Sequence, residues 1–272
     1  MYVWSHGLGE FLRHSNEDAV CSNFITDLVQ RTVHRLWPDC TENIRIADIG
    51  CGPGSKAIEI ARGLHRHGIT SHWDLVDIDH MWANEIQKNI RATGSPNHMR
   101  LEVHCPCSAE AWSDALSMPP HIAQFIHVPY DDETEETVYT LGKTLTAEQA
   151  VVLVAAEHPA SDLSKIRRTL AARGHRNLPK ERVTSLVRRF RAEGLHVKQH
   201  LVARKFLDIG PAHQLRNADW LWSLIFGGKH NPDDTADLVS LISDYVRLGA
   251  IASADACILD IPDFLITVRQ RT

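Results

Sequence analysis

Three glycines at alternate positions follow an acid in the run Asp48-Ile49-Gly50-Cys51-Gly52-Pro53-Gly54. With the apolar Ile44-Arg45-Ile46-Ala47 before it and Ser55-Lys56-Ala57-Ile58-Glu59-Ile60-Ala61 after it, the run reads as a strand, a glycine turn and a helix. Glycines there let the backbone turn sharply, and they let a ligand approach main-chain atoms that a Cβ would shield. A dinucleotide site wants G-x-G-x-x-G, whereas this spacing is G-x-G-x-G. The second chemical anchor is Leu75-Val76-Asp77-Ile78-Asp79, an apolar strand ending in a carboxylate. Placed roughly 20 residues beyond the loop, such an acid accepts hydrogen bonds from both hydroxyls of a ribose. Asp77 could instead cap a helix starting near His80, a task for which Asp79 is the better placed of the two.

Other chemistry-bearing residues are more dispersed. His104-Cys105-Pro106-Cys107 places two thiols one residue apart with no second pair, so it reads as packing and no metal site is expected. The six cysteines lack a framework spacing and are expected to stay reduced. Seventeen histidines are scattered along the chain, and the count alone suggests composition.

The elements that must position the glycine turn alternate between β and α. Val20, Phe24, Leu28, Val33 and Leu36 recur near helical period after Ser15-Asn16-Glu17-Asp18, which reads as a capping box. Expected next are a helix to about residue 67, a strand over 73–76, a helix through 90 and a strand over 100–104. A strand over 122–128, a helix around 133–145 and a strand over 150–156 complete five βα steps, hence a mainly parallel, doubly wound, Rossmann-like sheet. Pro179 opens a helix that Gly194 ends, a strand is expected over 195–206, helices over 218–226 and 235–248, and a last strand over 264–268. The expected organisation is an N-terminal helical cap over 1–42, a core over 43–207, a helical insertion over 208–260 that covers the site, and the last strand over 261–272.

At 272 residues and 43 % hydrophobic content the chain can build a substantial core. A net charge of −5 gives no global reason to expect nucleic acid or an anionic membrane surface. The N-terminus carries no basic-then-apolar leader, and the longest apolar run, Ala150 to Ala156, falls far short of the ~20 residues that span a bilayer. A soluble, cytoplasmic enzyme is the expectation.

The glycine loop behind an acid resembles motif I of S-adenosylmethionine (SAM)-dependent methyltransferases, and other stretches extend the likeness. Phe11-Leu12-Arg13-His14-Ser15-Asn16-Glu17, His104 to Glu110, Phe125-Ile126-His127 and Trp220-Leu221-Trp222 resemble segments of histamine N-methyltransferase-like members of the class I enzymes. The resemblance implies a class I methyltransferase sheet, mainly parallel with an antiparallel last strand, under a helical cover. It implies SAM as cofactor, held by Asp48, Gly50, Gly52, Gly54, Asp77, Ile78, Trp82, Ser108 and Val128. It further implies that Glu17 and Asp260, the latter standing where the family has an asparagine, hold the amine of a small-molecule or amino-acid-like substrate. After the F-I-H segment the family continues with a glutamine and paired tyrosines. This chain passes through Val128-Pro129-Tyr130 to Asp131, and only Tyr130 can stand for one of the aromatic residues.

An amine must be neutral to attack a methyl group, and its ammonium form predominates near pH 7. His127 and Tyr130, at the carboxyl edge of the sheet, are the candidates for positioning it and taking its proton. His127 reads equally as a satisfied buried polar group, and Glu17 as a favourable first-turn acid. Two other functions compete. The same fold can close a ring within SAM and release methylthioadenosine, as in azetidine carboxylate formation. A nucleic-acid base methyltransferase would use a loop similar to Val128-Pro129-Tyr130 and the ten Lys or Arg against one acid within 165–191.

Overall fold

The computed structural model describes residues 11, 13–93, 99–128, 131–175, 178, 182–203, 205–209, 221, 225, 240, 251–252 and 257–271. The chain divides into two compact units. The larger comprises Ala19–Ala156, Arg182–His200 and Phe264–Thr272; the smaller comprises Met1–Asp18, Glu157–Glu181 and Leu201–Asp263.

The larger unit is built on a seven-stranded, mostly parallel sheet with one antiparallel strand. In chain order its strands are β1 (Ile44–Ile49), β2 (Ser71–Val76), β3 (Met99–His104), β4 (Ile122–Ile126), β5 (Val151–Glu157), β6 (His196–Val202) and, after three short strands of the smaller unit, β10 (Asp263–Arg269). Their spatial order is β3-β2-β1-β4-β5-β10-β6. The ladders β1–β2, β2–β3, β1–β4 and β4–β5 are all parallel. Burial follows position. Every residue of β4 is buried, whereas the edge strand β3 has only Met99 buried. Central parallel strands are covered on both faces and read as continuous apolar runs; an edge strand tolerates charge.

Helices follow β1, β2 and β4 as expected, whereas the helices after β3 and β5 stand where no helix is expected from the sequence. Wholly or mostly within this unit are α1 (Glu17–Leu36), α2 (Ser55–Arg66), α3 (Trp82–Ala92), α4 (Ala109–Asp114), α5 (Asp132–Ala147) and α7 (Val183–Ala192). Helix α5 opens with a reciprocal cap: Asp131 Oδ1 accepts the Thr134 N–H at 2.8 Å, and Thr134 Oγ1 accepts the Asp131 N–H at 3.1 Å. At the start of α1, Ser15 Oγ accepts the Glu17 N–H at 3.4 Å. The core gathers Ile49, Phe125, Val152, Val154 and Ile266 of the sheet with Val138, Leu141 and Leu145 of α5 and Leu186 and Phe190 of α7. Phe125, Val138, Val152, Val154, Leu186, Phe190 and Ile266 are fully buried, and each such side chain contributes about 1.5–3 kcal/mol.

The smaller unit holds α6 (Asp162–Ala172) and an antiparallel sheet of order β7-β9-β8, with β7 at Phe206–Asp208, β8 at Ile251–Ala252 and β9 at Cys257–Asp260.

Two expectations are corrected. The single strand expected over 195–206 is two strands, β6 and β7, which join different sheets. The break at Ala203–Lys205 carries Lys205 into the interior, where alternation alone gives no sign that the chain leaves one sheet for another. The strand expected to reach Val128 stops at Ile126, because His127 turns to φ +57°. The helices expected over 218–226 and 235–248 fall almost wholly outside the described residues, as do Trp220 and Trp222. No described helix is long and apolar enough to cross a membrane.

Candidate functional site

The glycine turn leaves β1 at the carboxyl edge of the sheet. Gly50, Gly52 and Gly54 take φ of +74°, +53° and +72°, a region that side chains rarely enter. Gly50 and Gly52 are required for different reasons. A Cβ on Gly50 would lie 2.5 Å from Val128 Cγ2, so the loop after β4 packs directly on the turn. A Cβ on Gly52 would meet nothing within 4 Å, so its backbone faces open space. That is the cradle a ligand needs to approach main-chain atoms.

Asp77 follows β2 and binds the turn. Its Oδ2 accepts the Gly52 N–H at 2.8 Å and its Oδ1 accepts the Asp79 N–H at 2.9 Å. One oxygen therefore serves the local turn and the other reaches the glycine loop. Asp79, in turn, accepts the Met81 N–H at 3.1 Å and does the capping. The Asp77 main chain is tied as well: its N–H donates to His104 O, and its carbonyl accepts the Cys107 N–H at 2.8 Å. Burial pushes the Asp77 carboxyl above its ordinary value, against the pull of the two backbone donors.

Asp48 lies beneath the turn, 2 % exposed and in register with Leu75 of β2 and Gln124 of β4. Burial raises its pKa from 3.8 to about 6, against the Gln124 side chain and the Lys56 charge. Around the turn, Ile78 is an apolar side chain 69 % exposed. Trp82 opens α3 and is half-buried. Ser108 caps α4, its Oγ accepting the Ala111 N–H at 3.1 Å. The structure thus brings Asp48, Gly50, Gly52, Gly54, Asp77 and Val128 into direct or one-step contact, with Ile78, Trp82 and Ser108 on the adjoining segments.

His127 is half-buried in left-handed backbone, with its N–H donating to Ala155 O at 2.7 Å. A non-glycine residue held at such a φ costs of order 1–3 kcal/mol. Tyr130 lies outside the described residues.

Glu17 and Asp260 belong to the smaller unit, where both adjoin β7. Asn16 N–H donates to Phe206 O and Asn16 Oδ1 accepts the Phe206 N–H at 2.7 Å, while Asp260 pairs with Phe206 in the β7–β9 ladder. Glu17 is 1 % exposed, and its Oε2 lies 3.3 Å from Lys205 Nζ. Lys205, itself 1 % exposed, also bonds Asp263 Oδ2 at 2.5 Å. The Asp260 side chain is exposed, and its N–H donates to Asp162 Oδ2 at 2.8 Å. Sequence reading missed Lys205 and Asp263. The available signal was a lysine and an aspartate each set directly before the apolar stretch of a strand.

In the same unit Glu157, at the end of β5, forms an ion pair with Arg167 and accepts hydrogen bonds from Ser161 Oγ and Ser164 Oγ. Against burial, the Arg167 charge and the hydroxyls hold its carboxyl below the ordinary value. The basic stretch 165–191 is partly neutralised within each unit. Lys165 pairs with Asp162 in the smaller, and Arg182 with Glu135 and Arg189 with Glu136 in the larger.

No family model and no curated protein sequence matches the chain. Solved structures do. The YcgJ protein from Bacillus subtilis is 13 % identical, with 91 % of this chain and 98 % of that chain covered and a TM-score of 0.54. A cyclopropane-fatty-acyl-phospholipid synthase-like protein from Lactobacillus casei is 14 % identical over the same shares, also with a TM-score of 0.54. At these identities the likeness shows the fold, a Rossmann-like, mostly parallel sheet with flanking helices.

Proposed function

We propose that this chain is a SAM-dependent methyltransferase that transfers a methyl group to the nitrogen of a small-molecule amine. The observation that carries the reading is the Gly52 to Asp77 hydrogen bond, which sets a buried carboxylate beside a glycine backbone open to a ligand. Each Asp77 oxygen accepts one backbone N–H and keeps a lone pair for a ribose hydroxyl. The exposed Ile78 supplies an apolar face for an adenine ring, with Trp82 nearby on α3. Ser108, whose oxygen already accepts a backbone N–H, has its hydroxyl proton left to donate. These residues fit SAM, whose sulfonium methyl supplies the reactivity when it is bound.

The protein then contributes orientation, worth roughly 7–11 kcal/mol in a well-aligned displacement. His127 and Tyr130, on the segment after β4, are assigned to position the neutral amine and take its proton, directly or through water. Glu17 and Asp260 are assigned to the amine's other contacts by the resemblance to histamine N-methyltransferase-like enzymes. The pairing of Lys165, Arg182 and Arg189 with neighbouring acids favours a small molecule over a nucleic acid, since those cations are already engaged.

Mass spectrometry of the protein with SAM alone, and with SAM plus a pooled panel of biogenic amines and amino acids, tests the proposal. Adenosylhomocysteine is expected only with the acceptors, and the added methyl identifies the substrate. Methylthioadenosine formed from SAM alone would replace methyl transfer with ring closure. No nucleoside product, with no SAM binding by calorimetry, would sink the cofactor assignment.

A further inference from the structure

Away from the glycine turn, strands β2 and β3 place two imidazoles and two carboxylates together. His72 and Asp74 are two residues apart on β2, and Glu102 and His104 are two apart on β3, so each pair shares one face of its strand. The register sets Asp74 directly opposite Glu102. His72 then lies two residues before this pair on one strand, and His104 two residues after it on the other.

The side chains converge. His72 Nε2 lies 3.3 Å from Glu102 Oε1, and His104 Nε2 lies 3.1 Å from Asp74 Oδ1. Ligand atoms of His72, Asp74 and Glu102 all fall within 4.8 Å of one another. Ligand atoms about 2.0–2.1 Å from a tetrahedral zinc ion stand about 3.3–3.4 Å apart, so the His72–Glu102 separation is already close to an edge of that tetrahedron. A plain hydrogen-bonded pair accounts for His104 and Asp74 but not for the other half. His72 Nε2 is shielded from solvent and makes no hydrogen bond, despite its closeness to Glu102. A shielded ring nitrogen aimed at a carboxylate without bonding it is unfavourable for a polar contact and suited to a shared cation. With the His72 imidazole neutral, as metal ligation requires, the two carboxylates balance the charge of a divalent ion.

We propose that His72, Asp74 and Glu102 form a three-ligand NO2 site for a divalent transition-metal ion of the zinc type, with His104 holding Asp74 in place through its hydrogen bond. One imidazole and two carboxylates suit zinc, with cobalt(II) as its spectroscopic substitute, better than calcium or magnesium, which favour oxygen ligands alone. Three protein ligands leave the fourth tetrahedral position to water. The ion clamps the edge strand β3 onto β2 through side chains, in addition to their backbone ladder.

The test uses full-length protein stripped with a chelator and titrated with zinc by calorimetry and with cobalt(II) by absorption. One equivalent is expected to bind, with the strong visible bands of tetrahedral cobalt and a rise in melting temperature. His72→Ala, and separately Glu102→Gln at a half-exposed position that leaves the fold intact, should weaken binding by at least about tenfold and abolish the thermal shift. Cys105→Ser and Cys107→Ser should leave both unchanged. Weak octahedral cobalt bands, a thiolate-to-cobalt charge-transfer band, no saturable equivalent, or unchanged affinity in His72→Ala and Glu102→Gln would each overturn the site. None of these readouts involves SAM, so the proposal stands or falls apart from the methyltransferase reading.

Discussion

Asp77 Oδ2 accepts the Gly52 N–H at 2.8 Å although 25 residues separate the two in sequence. The bond joins the ends of β1 and β2 and leaves each carboxylate oxygen one acceptor position. Asp77→Asn keeps one acceptor for the turn but presents an amide to the ribose, and Asp77→Ala removes both. SAM affinity by calorimetry should fall roughly 100-fold in the first and beyond detection in the second, each lost charge-assisted bond being worth about 1.5–3 kcal/mol. Retained affinity in Asp77→Ala would remove this residue from the site. Because burial raises the Asp77 carboxyl, wild-type affinity should also weaken as pH falls toward that raised value, where the proton displaces the carboxylate.

Gly50 and Gly52 separate folding from binding. Gly50→Ala drives a methyl into Val128 at φ +74° and should destabilise the protein by about 1–3 kcal/mol in urea unfolding, with Val128→Ala recovering part of the loss. Gly52→Ala points into open space and should cost only about 1–2 kcal/mol of backbone strain. It should nevertheless weaken SAM at least about tenfold, because the new Cβ stands where the ligand meets the backbone. Equal SAM affinity in Gly52→Ala and wild type would contradict the cradle.

The buried Lys205 pairs with two acids. Lys205→Met removes its ammonium from Glu17 and Asp263 in the interior, and should cost about 3–5 kcal/mol by chemical denaturation. Adding Glu17→Gln and Asp263→Asn should return much of it. A single variant within 1 kcal/mol of wild type would mean that the ion pairs are not formed in solution.

Kinetics decide the amine assignments. Glu17→Gln or Asp260→Asn should raise KM for the acceptor several-fold with SAM affinity nearly intact, the signature of lost substrate contacts. Unchanged constants in both variants would exclude them.

Buried Asp48 and half-buried Glu157 give opposite pH signatures. The folded-state pKa of Asp48 is raised, from 3.8 to about 6. Its folded form therefore holds the proton more tightly than the unfolded chain, and stability is lost as pH rises from about 4 to 6, by about 3 kcal/mol in all. Asp48→Asn should remove that loss, seen as a flatter urea midpoint between pH 4.5 and 7. Glu157 is lowered, so its contribution is present above its unfolded value and lost as pH falls through the folded one. Glu157→Gln should therefore blunt acid unfolding. A Glu157→Gln profile that parallels wild type would rule out this ion pair as a source of acid sensitivity.

The glycine turn and Asp77 are legible in sequence because their chemistry is local. Alternate glycines fix a turn, and an acid ends an apolar strand. The alternation of β and α likewise specifies a mainly parallel sheet, since each connection among the first five strands is long enough to be a crossover. What one strand touches on another is not local. His72-Trp73-Asp74 and Glu102-Val103-His104 are visible as pairs, yet only the register of β2 on β3 brings His72, Asp74 and Glu102 together. Lys205 reads as a surface lysine until the break after β6 turns it between Glu17 and Asp263, residues nearly the whole chain apart. Strand ends are also misread where one residue, His127, adopts a conformation that its side chain does not advertise.

The position of β10 has a consequence for biosynthesis. It leaves the ribosome after the other six strands of its sheet, yet it lies between β5 and β6. Until residue 269 has emerged, β6 has no partner in the sheet and β5 presents an open edge. The first five strands can pair as they are made, but β6 and the far edge of β5 wait for β10. A nascent chain stalled before β10 therefore offers two unpaired strand edges to chaperones or to its neighbours.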